Sequence, residues 1–98
     1  MPFHTTPIDG LIVFEPQIWK DDRGYFFESY NQKTFETGGI DAVFVQDNQA
    51  FSTYGVLRGL HYQVGAAAQA KLVRVIEGEV LDVAVDLRPH SKTYGEWY

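Results

Sequence analysis

Short runs of apolar and aromatic residues alternate along the chain with turn-forming glycine, proline, asparagine and aspartate. Runs of this length, rich in Val, Ile, Phe and Tyr and bounded by turn residues, are typical of β-strands. The pattern predicts six or seven strands, at residues 11–14, 25–30, 43–48, 56–63, 71–76, 80–87 and 94–98. Many short strands separated by frequent turns indicate an all-β sandwich or barrel.

One segment has a helical pattern instead. Asn31 is a favoured N-cap residue, and the glycine pair Gly38 and Gly39 would end a helix, so the sequence predicts one short helix at residues 32–37. The glycine and three alanines at 65–68 are too few for a stable helix and predict a loop.

The last third of the chain contains its two most apolar strands, 71–76 and 80–87, joined by a glycine-containing turn at 77–79. This order predicts a hairpin or a tight meander. The sequence ends in Glu-Trp-Tyr inside the predicted strand 94–98. Because chain ends are usually polar and frayed, we interpret this aromatic end as docked on a partner or as the point where a second half is missing.

Composition narrows the class of protein. A length of 98 residues fits a single domain, and an apolar fraction of 45% is typical of globular chains. The net charge of −5 argues against nucleic-acid binding, which needs a dense basic surface. No apolar run is long enough to span a membrane, and the N-terminus has no signal-peptide pattern, so we expect a cytoplasmic protein. Cysteine is absent, which excludes disulfides and thiolate chemistry.

The segment 56–63 carries the first candidate catalytic residue, His61. Side chains alternate along a strand, so His61 shares a face with Leu57 and Gly59. An imidazole on a half-apolar face suits a general base, because its pKa lies near neutral pH; the alternative is a hydrogen-bonded structural histidine. Glycine within a strand often marks a bulge, and a bulge at Gly59 would turn Arg58 and His61 towards one cavity.

A second candidate is Lys71, which alternates with Val73 and Val75. A lysine in a dry pocket stabilises negative charge that develops on an oxygen. The alternative is a lysine at a strand end whose ammonium reaches water. The short connection between the segments of His61 and Lys71 favours antiparallel pairing, which would bring both side chains to one cavity.

Two further segments suit ligand binding. Arg23 lies beside a glycine and precedes an aromatic run that ends at Glu28. An arginine fork suits a phosphate and aromatic rings suit stacking; an ordinary turn with a salt bridge is the alternative. Gln46, Asp47 and Asn48 follow a predicted buried strand, as either the rim of a ligand site or a solvated loop.

Other kinds of site are excluded. Asp82 and Asp86 share a strand face, but their Cα atoms would lie about 13 Å apart, too far for paired acid–base carboxylates, so we interpret both as outward or rim residues. The three histidines lack metal-ligand spacing. The sequence has no G-x-G-x-x-G, P-loop or G-x-S-x-G motif. These observations argue against a histidine metal site, a Rossmann or P-loop nucleotide site and a nucleophile elbow.

Five segments together resemble the dTDP-4-dehydrorhamnose 3,5-epimerase family. They cover nearly the whole chain in order: D-R-G-Y-F-F-E at 22–28, F-V-Q-D-N at 44–48, G-V-L-R-G-L-H-Y-Q at 55–63, Q-A-K-L-V-R-V at 69–75 and G-E-V-L-D-V-A-V-D-L-R at 78–88. The run L-R-G-L-H-Y-Q is the most specific of them.

The resemblance implies a cupin-type β-jelly roll that forms a homodimer by exchanging strands. It implies an isomerase acting on a dTDP-linked 4-keto sugar in L-rhamnose biosynthesis, without a metal or redox cofactor. His61 is similar to the family's catalytic base and Lys71 to the lysine beside the C4 oxygen of the sugar. The positions similar to nucleotide-sugar-binding residues are Arg23, Glu28, Gln46, Asn48 and Arg58, with Asp47 in the same run.

The sequence departs from the family in two ways. The loop 65–68 lacks the proline commonly found before the A-Q-x-K segment, and family members run well past position 98. In the family, the proton-donating tyrosine and the carboxylate that orients the histidine lie in that later part. We therefore expect residues 1–98 to be the N-terminal portion of a longer cupin-like domain. A non-catalytic sugar-nucleotide-binding or assembly module, and a related mono-epimerase or ketoisomerase, stay open as alternatives.

Overall fold

The computed structural model describes residues 2–98, and strands are its main regular structure. Two antiparallel hairpins come first, followed by one α-helix and a 3-10 turn. The elements are β1 (Phe3–Thr5), β2 (Ile12–Phe14), β3 (Ile18–Asp21), β4 (Gly24–Phe27), α1 (Gln32–Thr37) and the 3-10 turn Gly65–Ala67. This architecture confirms the predominance of strands and the single short α-helix.

The first hairpin pairs β1 with β2, with Phe3 opposite Phe14. Its connection is held by Thr6, whose hydroxyl lies 3.1 Å from the carbonyl oxygen of Ile8 and 2.9 Å from that of Leu11. Ile8 is buried beneath the turn. Strands β1 and β3 were not among the predicted strands, because each is a short run with little apolar pattern of its own. Each becomes a strand by pairing with the next one along the chain.

The second hairpin pairs β3 with β4 and places Asp21 opposite Gly24 across a two-residue turn. Gly24 has a φ of 131°, a value that glycine adopts without strain. Alternation of side chains places Trp19 beside Phe26 on one face, and Tyr25 stacks on Phe27 on the other, with centroids 6.4 and 6.0 Å apart. Both faces of this hairpin therefore carry aromatic surface.

Helix α1 confirms the prediction for residues 32–37. The side-chain oxygen of Asn31 accepts hydrogen bonds from the backbone N–H groups of Lys33 and Thr34, at 3.0 and 3.2 Å. These bonds satisfy two of the donors that a helix leaves free at its N-terminus. Gly39 ends the helix with a φ of 89°, as expected for a glycine beyond the last turn.

The core lies where α1 packs on the first hairpin. Phe35 is 1% exposed, and its ring contacts those of Phe3, Phe14 and Tyr30 with centroids 4.7–5.3 Å apart. Tyr30 in turn contacts Phe44 at 5.4 Å. Tilted and edge-to-face geometries of this kind are favoured between aromatic rings and add to the burial of apolar area.

The C-terminal residues form a smaller ordered unit. An isolated bridge pairs Val85 with Trp97, and Ala84 and Tyr98 exchange backbone hydrogen bonds of 3.0 and 2.9 Å. The loop between them is organised by Asp86, which is 4% exposed. The interpretation of Asp86 as an outward or rim residue was therefore wrong, whereas Asp82 is exposed as expected.

The predicted strands 43–48, 56–63 and 71–76 do not form, and 80–87 and 94–98 are reduced to the single bridge, so the count of six or seven strands was wrong. From residue 41 to residue 83, the backbone hydrogen bonds within the described chain are those of local turns. Val45, Leu57 and Leu81 are 89–93% exposed. A strand requires a neighbour in a sheet, and residues 2–98 supply none to these apolar segments.

Candidate functional site

His61 and Lys71 line the same cavity, of about 550 Å³, together with Tyr62, Gln63 and Gln69. The 3-10 turn Gly65–Ala67 lies between the two segments and reverses the chain, with N–H to carbonyl distances of 3.2 Å (Ala67 to Val64) and 3.1 Å (Ala68 to Gly65). The expectation that both residues reach one cavity is confirmed, although the segments are not paired as strands.

The residues that line the cavity carry one imidazole, one ammonium group, one phenol and two amide side chains. The ion pairs among residues 2–98 involve His4, Arg23 and Arg88. No carboxylate of the described chain therefore neutralises Lys71. An unpaired ammonium attracts an oxygen that carries or develops negative charge, and an imidazole can accept a proton from a nearby carbon acid. The arrangement is suited to removing a proton beside a carbonyl group.

Arg23 and Glu28 lie elsewhere, on the second hairpin. Arg23 occupies the β3–β4 turn and forms an ion pair with Asp21, with 2.6 Å between its Nη2 and the Oδ2 atom. Glu28 follows β4 and lines a groove of about 440 Å³ with Phe14, Trp19 and other residues of both hairpins and α1. Neither residue lines the cavity of His61 and Lys71.

The remaining predicted binding residues lie in the extended region, which we define as residues 41–83. Gln46, Asp47 and Asn48 are exposed, and the amide of Gln46 donates to that of Asn48 at 3.4 Å. Arg58 donates from Nε to the hydroxyl of Ser52 at 2.9 Å. Gly59 does have a positive φ, of 135°, but Arg58 is not among the residues lining the cavity of His61.

Two candidate binding residues have polar partners that the sequence analysis did not name, although it gave a salt bridge at the Arg23 turn as an alternative. Asp21 holds Arg23, and the signal that would have revealed it is an aspartate two positions before the arginine at a turn, a spacing typical of side chain-to-backbone bonding. Ser52 holds Arg58 across six positions, a spacing with no local signature.

Asp86 is the centre of a hydrogen-bond network within the C-terminal loop. It accepts from the guanidinium of Arg88 at 2.9 and 3.0 Å and from the hydroxyls of Ser91 and Thr93. These donors hold the pKa of Asp86 well below its usual range, with the bond from Arg88 as the largest cause. The network satisfies a buried carboxylate and fixes the loop, and it lies apart from the cavity.

The residues that the structure describes contain no helix long and apolar enough to cross a membrane. Within the same residues, no group of three or more His, Cys, Asp or Glu side chains is placed to hold a metal ion.

The strands and the short helix define a β-rich protein, in which His61 and Lys71 line one cavity. The family model of dTDP-4-dehydrorhamnose 3,5-epimerase matches residues 5–98. The chain belongs to the dTDP-4-dehydrorhamnose 3,5-epimerase family.

Curated relatives from several organisms carry that name. The protein from Methanothermobacter thermautotrophicus is 55% identical over 95 residues, which are 97% of this chain and 51% of the relative. The protein from Pseudomonas aeruginosa is 59% identical over 91 residues, 92% of this chain and 50% of the relative. The chain thus spans about half the length of these relatives.

Solved structures agree. The epimerase from Elizabethkingia anophelis superimposes with a TM-score of 0.90 at 54% identity, over 98% of this chain and 53% of that one. The epimerase from Bacillus anthracis, with TDP and PPi bound, gives a TM-score of 0.93 at 44% identity, over 98% of this chain and 55% of that one.

Proposed function

We propose that the protein is an isomerase that converts dTDP-4-dehydro-6-deoxyglucose to dTDP-4-dehydrorhamnose in dTDP-L-rhamnose biosynthesis. The observation that carries the proposal is the cavity shared by His61 and Lys71. Family membership and the name of a relative that is 59% identical support the reaction and the dTDP-sugar substrate.

The reaction begins beside the C4 ketone. The imidazole of His61 takes a proton from the carbon next to the carbonyl, and the electron pair of the broken C–H bond forms a C=C bond while the carbonyl oxygen gains negative charge. The Lys71 ammonium stabilises that enolate oxygen. A second acid on the opposite face, which the family resemblance places beyond residue 98, gives a proton to the carbon and inverts its configuration, while the proton on His61 returns to solvent. The same steps at the carbon on the other side of the ketone complete the conversion at C3 and C5. Atoms and electrons balance without an oxidant, so this chemistry needs no redox cofactor.

The nucleotide part of the substrate is proposed to bind to six residues outside the cavity lining, Arg23, Glu28, Gln46, Asp47, Asn48 and Arg58. Arginine forks match the paired oxygens of a diphosphate, and aromatic rings such as those of β4 suit a pyrimidine. The solved Bacillus anthracis relative holds TDP and PPi, which supports a diphosphate site in this family.

The assembly that would unite these groups is a homodimer in a cupin-type jelly roll with exchanged strands. Arg23 and Glu28 lie on a hairpin apart from the His61 cavity, and that hairpin is aromatic on both faces. A hairpin from a second copy would cover exposed apolar segments of the extended region and bring its arginine to the cavity. A single monomeric species in sedimentation at micromolar concentration would contradict this assembly.

The location proposed for the protein is the cytoplasm, with neither nucleic acid nor membrane as a partner. The net charge of −5 supports the exclusion of nucleic acid, because non-specific nucleic-acid binding depends on basic residues.

Substitution of His61 tests the reaction. In the full-length protein, His61→Ala should abolish deuterium exchange at C3 and C5 of the sugar, because the base is gone, while dTDP still binds. His90→Ala is the matched control, since His90 lies in an exposed C-terminal loop. Exchange near the wild-type rate in His61→Ala would place the base elsewhere. Binding of dTDP by the wild type without exchange would support a non-catalytic nucleotide-sugar module.

A further inference from the structure

The turn of the second hairpin contains two aspartates and one arginine, and only one aspartate contacts the arginine. Oδ1 of Asp21 accepts the backbone N–H of Arg23 at 2.8 Å. Its carboxylate also accepts from the side chain of Arg23, from Nε at 3.3 and 3.4 Å and from Nη2 at 2.6 Å. These bonds lower the pKa of Asp21, with the side-chain bond from Arg23 as the largest cause. Asp22 makes no such bond in the described chain.

The contact leaves one edge of the guanidinium free. A guanidinium has five N–H donors, and Asp21 occupies the side formed by Nε and one N–H of Nη2. Both N–H groups of Nη1 and the second of Nη2 point away from the carboxylate. Two parallel donors on that edge match two oxygens of a phosphate. The Arg23 side chain is 90% exposed, so the edge is open to a ligand.

We propose that Asp21 is a positioning residue, which fixes the guanidinium of Arg23 so that its free edge meets the diphosphate of the substrate. This inference rests on the proposed function of Arg23 in nucleotide binding. An arginine on a flexible stem loses rotamer freedom when it binds, and an arginine already held by Asp21 loses less. Gly24, with its φ of 131°, allows the tight turn that brings Asp21 and Arg23 together.

Electrostatics alone predicts the opposite effect. A carboxylate near a diphosphate repels it, so removing any acidic charge from the turn should strengthen binding of an anion. Positioning predicts that removal of Asp21 weakens binding despite the lost repulsion. The sign of the change therefore separates the two effects, and the neighbouring Asp22 offers the same change of charge without the contact.

The test compares Asp21→Asn with Asp22→Asn in the full-length protein, with dTDP as the probe in calorimetry. Asparagine keeps a side-chain oxygen that can accept the backbone N–H of Arg23, so the turn is retained while the ion pair is lost. We expect Asp21→Asn to weaken dTDP binding about threefold to tenfold, the scale of ordering one long side chain. Asp22→Asn should leave the affinity equal or slightly higher.

A second comparison removes the guanidinium. In an Arg23→Lys background, Asp21→Asn should change dTDP affinity no more than Asp22→Asn does, because the fork that Asp21 orients is absent. In the enzyme with Arg23 intact, Asp21→Asn should raise KM and leave kcat unchanged. The melting temperature should not move, since an exposed ion pair contributes little to stability.

The outcomes are distinct. If the wild type does not bind dTDP, the proposed function and this inference both fail. If the wild type binds dTDP and the two asparagine variants have the same affinity, or if Asp21→Asn binds more tightly, the positioning role alone is overturned. If Asp21→Asn also weakens dTDP binding in the Arg23→Lys background, the positioning role is overturned, because the effect then does not depend on the guanidinium of Arg23.

Discussion

Within residues 2–98, the packed region at residues 2–40 finds its pairing partners, whereas the extended region at residues 41–83 does not. The first buries Phe35 among three aromatic rings and satisfies its backbone with two hairpins and a capped helix. The second has backbone hydrogen bonds only at local turns and exposes most of its apolar side chains, yet it carries His61 and Lys71. Within residues 2–98, most of the core and the residues of the proposed chemistry therefore lie in different stretches of chain, and Phe44 of the extended region contacts Tyr30 of the core.

The largest effect should come from Phe35→Ala. Loss of a buried ring leaves a cavity and should reduce the free energy of unfolding by about 3–5 kcal/mol. Chemical denaturation followed by circular dichroism measures this loss, and Phe51→Ala, at a position 86% exposed, is the control that should have little effect. If the regions are separate, kcat per folded molecule stays near the wild-type value. A small loss of stability would show that Phe35 is not the centre of the core.

Lys71→Met should have the opposite effect, with a loss of activity and unchanged stability. The substitution keeps most of the volume but removes the charge beside the developing enolate, so kcat should fall by at least about 10²-fold with a much smaller change in KM. Stability should be unchanged, because Lys71 is exposed and forms no ion pair in the described chain. Steady-state kinetics of Lys71→Met and of the exposed control Lys92→Met measure the effect. Lost binding with normal kcat would assign Lys71 to the phosphates.

The smallest effect, a change in melting temperature, should come from substitution of Asp86 in the C-terminal unit that follows the extended region. Asp86→Asn removes the charge that accepts bonds from Arg88, Ser91 and Thr93, and should lower Tm by about 5 °C. Asp82→Asn, at an exposed position of the same segment, should leave Tm unchanged. Equal Tm values for the two variants would contradict a stabilising role for the network.

The same network makes stability depend on pH. The folded pKa of Asp86 is depressed below the ordinary value of 3.8, so its contribution is complete above that pH and is lost as the pH falls towards the folded pKa. Thermal melts from pH 5 down to pH 2 should show a shallower decline for Asp86→Asn than for the wild type. Parallel curves would show that other carboxylates cause the acid loss.

The accuracy of the sequence predictions follows how local each feature is. Helix α1 was predicted with its observed bounds, because Asn31 and the glycines that define it are its immediate neighbours. The strands predicted between residues 43 and 76 were wrong, because an apolar run becomes a strand only when another strand pairs with it, and the pattern of a single run does not name that partner.

For the candidate site too, features set by nearby residues were predicted and features set by packing between distant elements were not. The meeting of His61 and Lys71 in one cavity was predicted, because only a short connection separates them in the chain. The position of Glu28, in a groove between the hairpins, depends on how separate elements pack and was not predicted. The burial of Asp86 was missed because its donors, Arg88, Ser91 and Thr93, lie in a loop without a periodic pattern.

The 3-10 turn Gly65–Ala67 connects the proposed base and the proposed cation within one chain. The placement of the two groups therefore depends on the number of residues between them. Side chains along extended backbone alternate in direction, so inserting or deleting one residue in the extended backbone on either side of this turn would point the ammonium away from the imidazole's cavity. Inserting or deleting two residues would restore the direction of the Lys71 side chain but would shift its ammonium by about 6–7 Å. Within a family, this connection should tolerate changes of residue type far more readily than insertions or deletions.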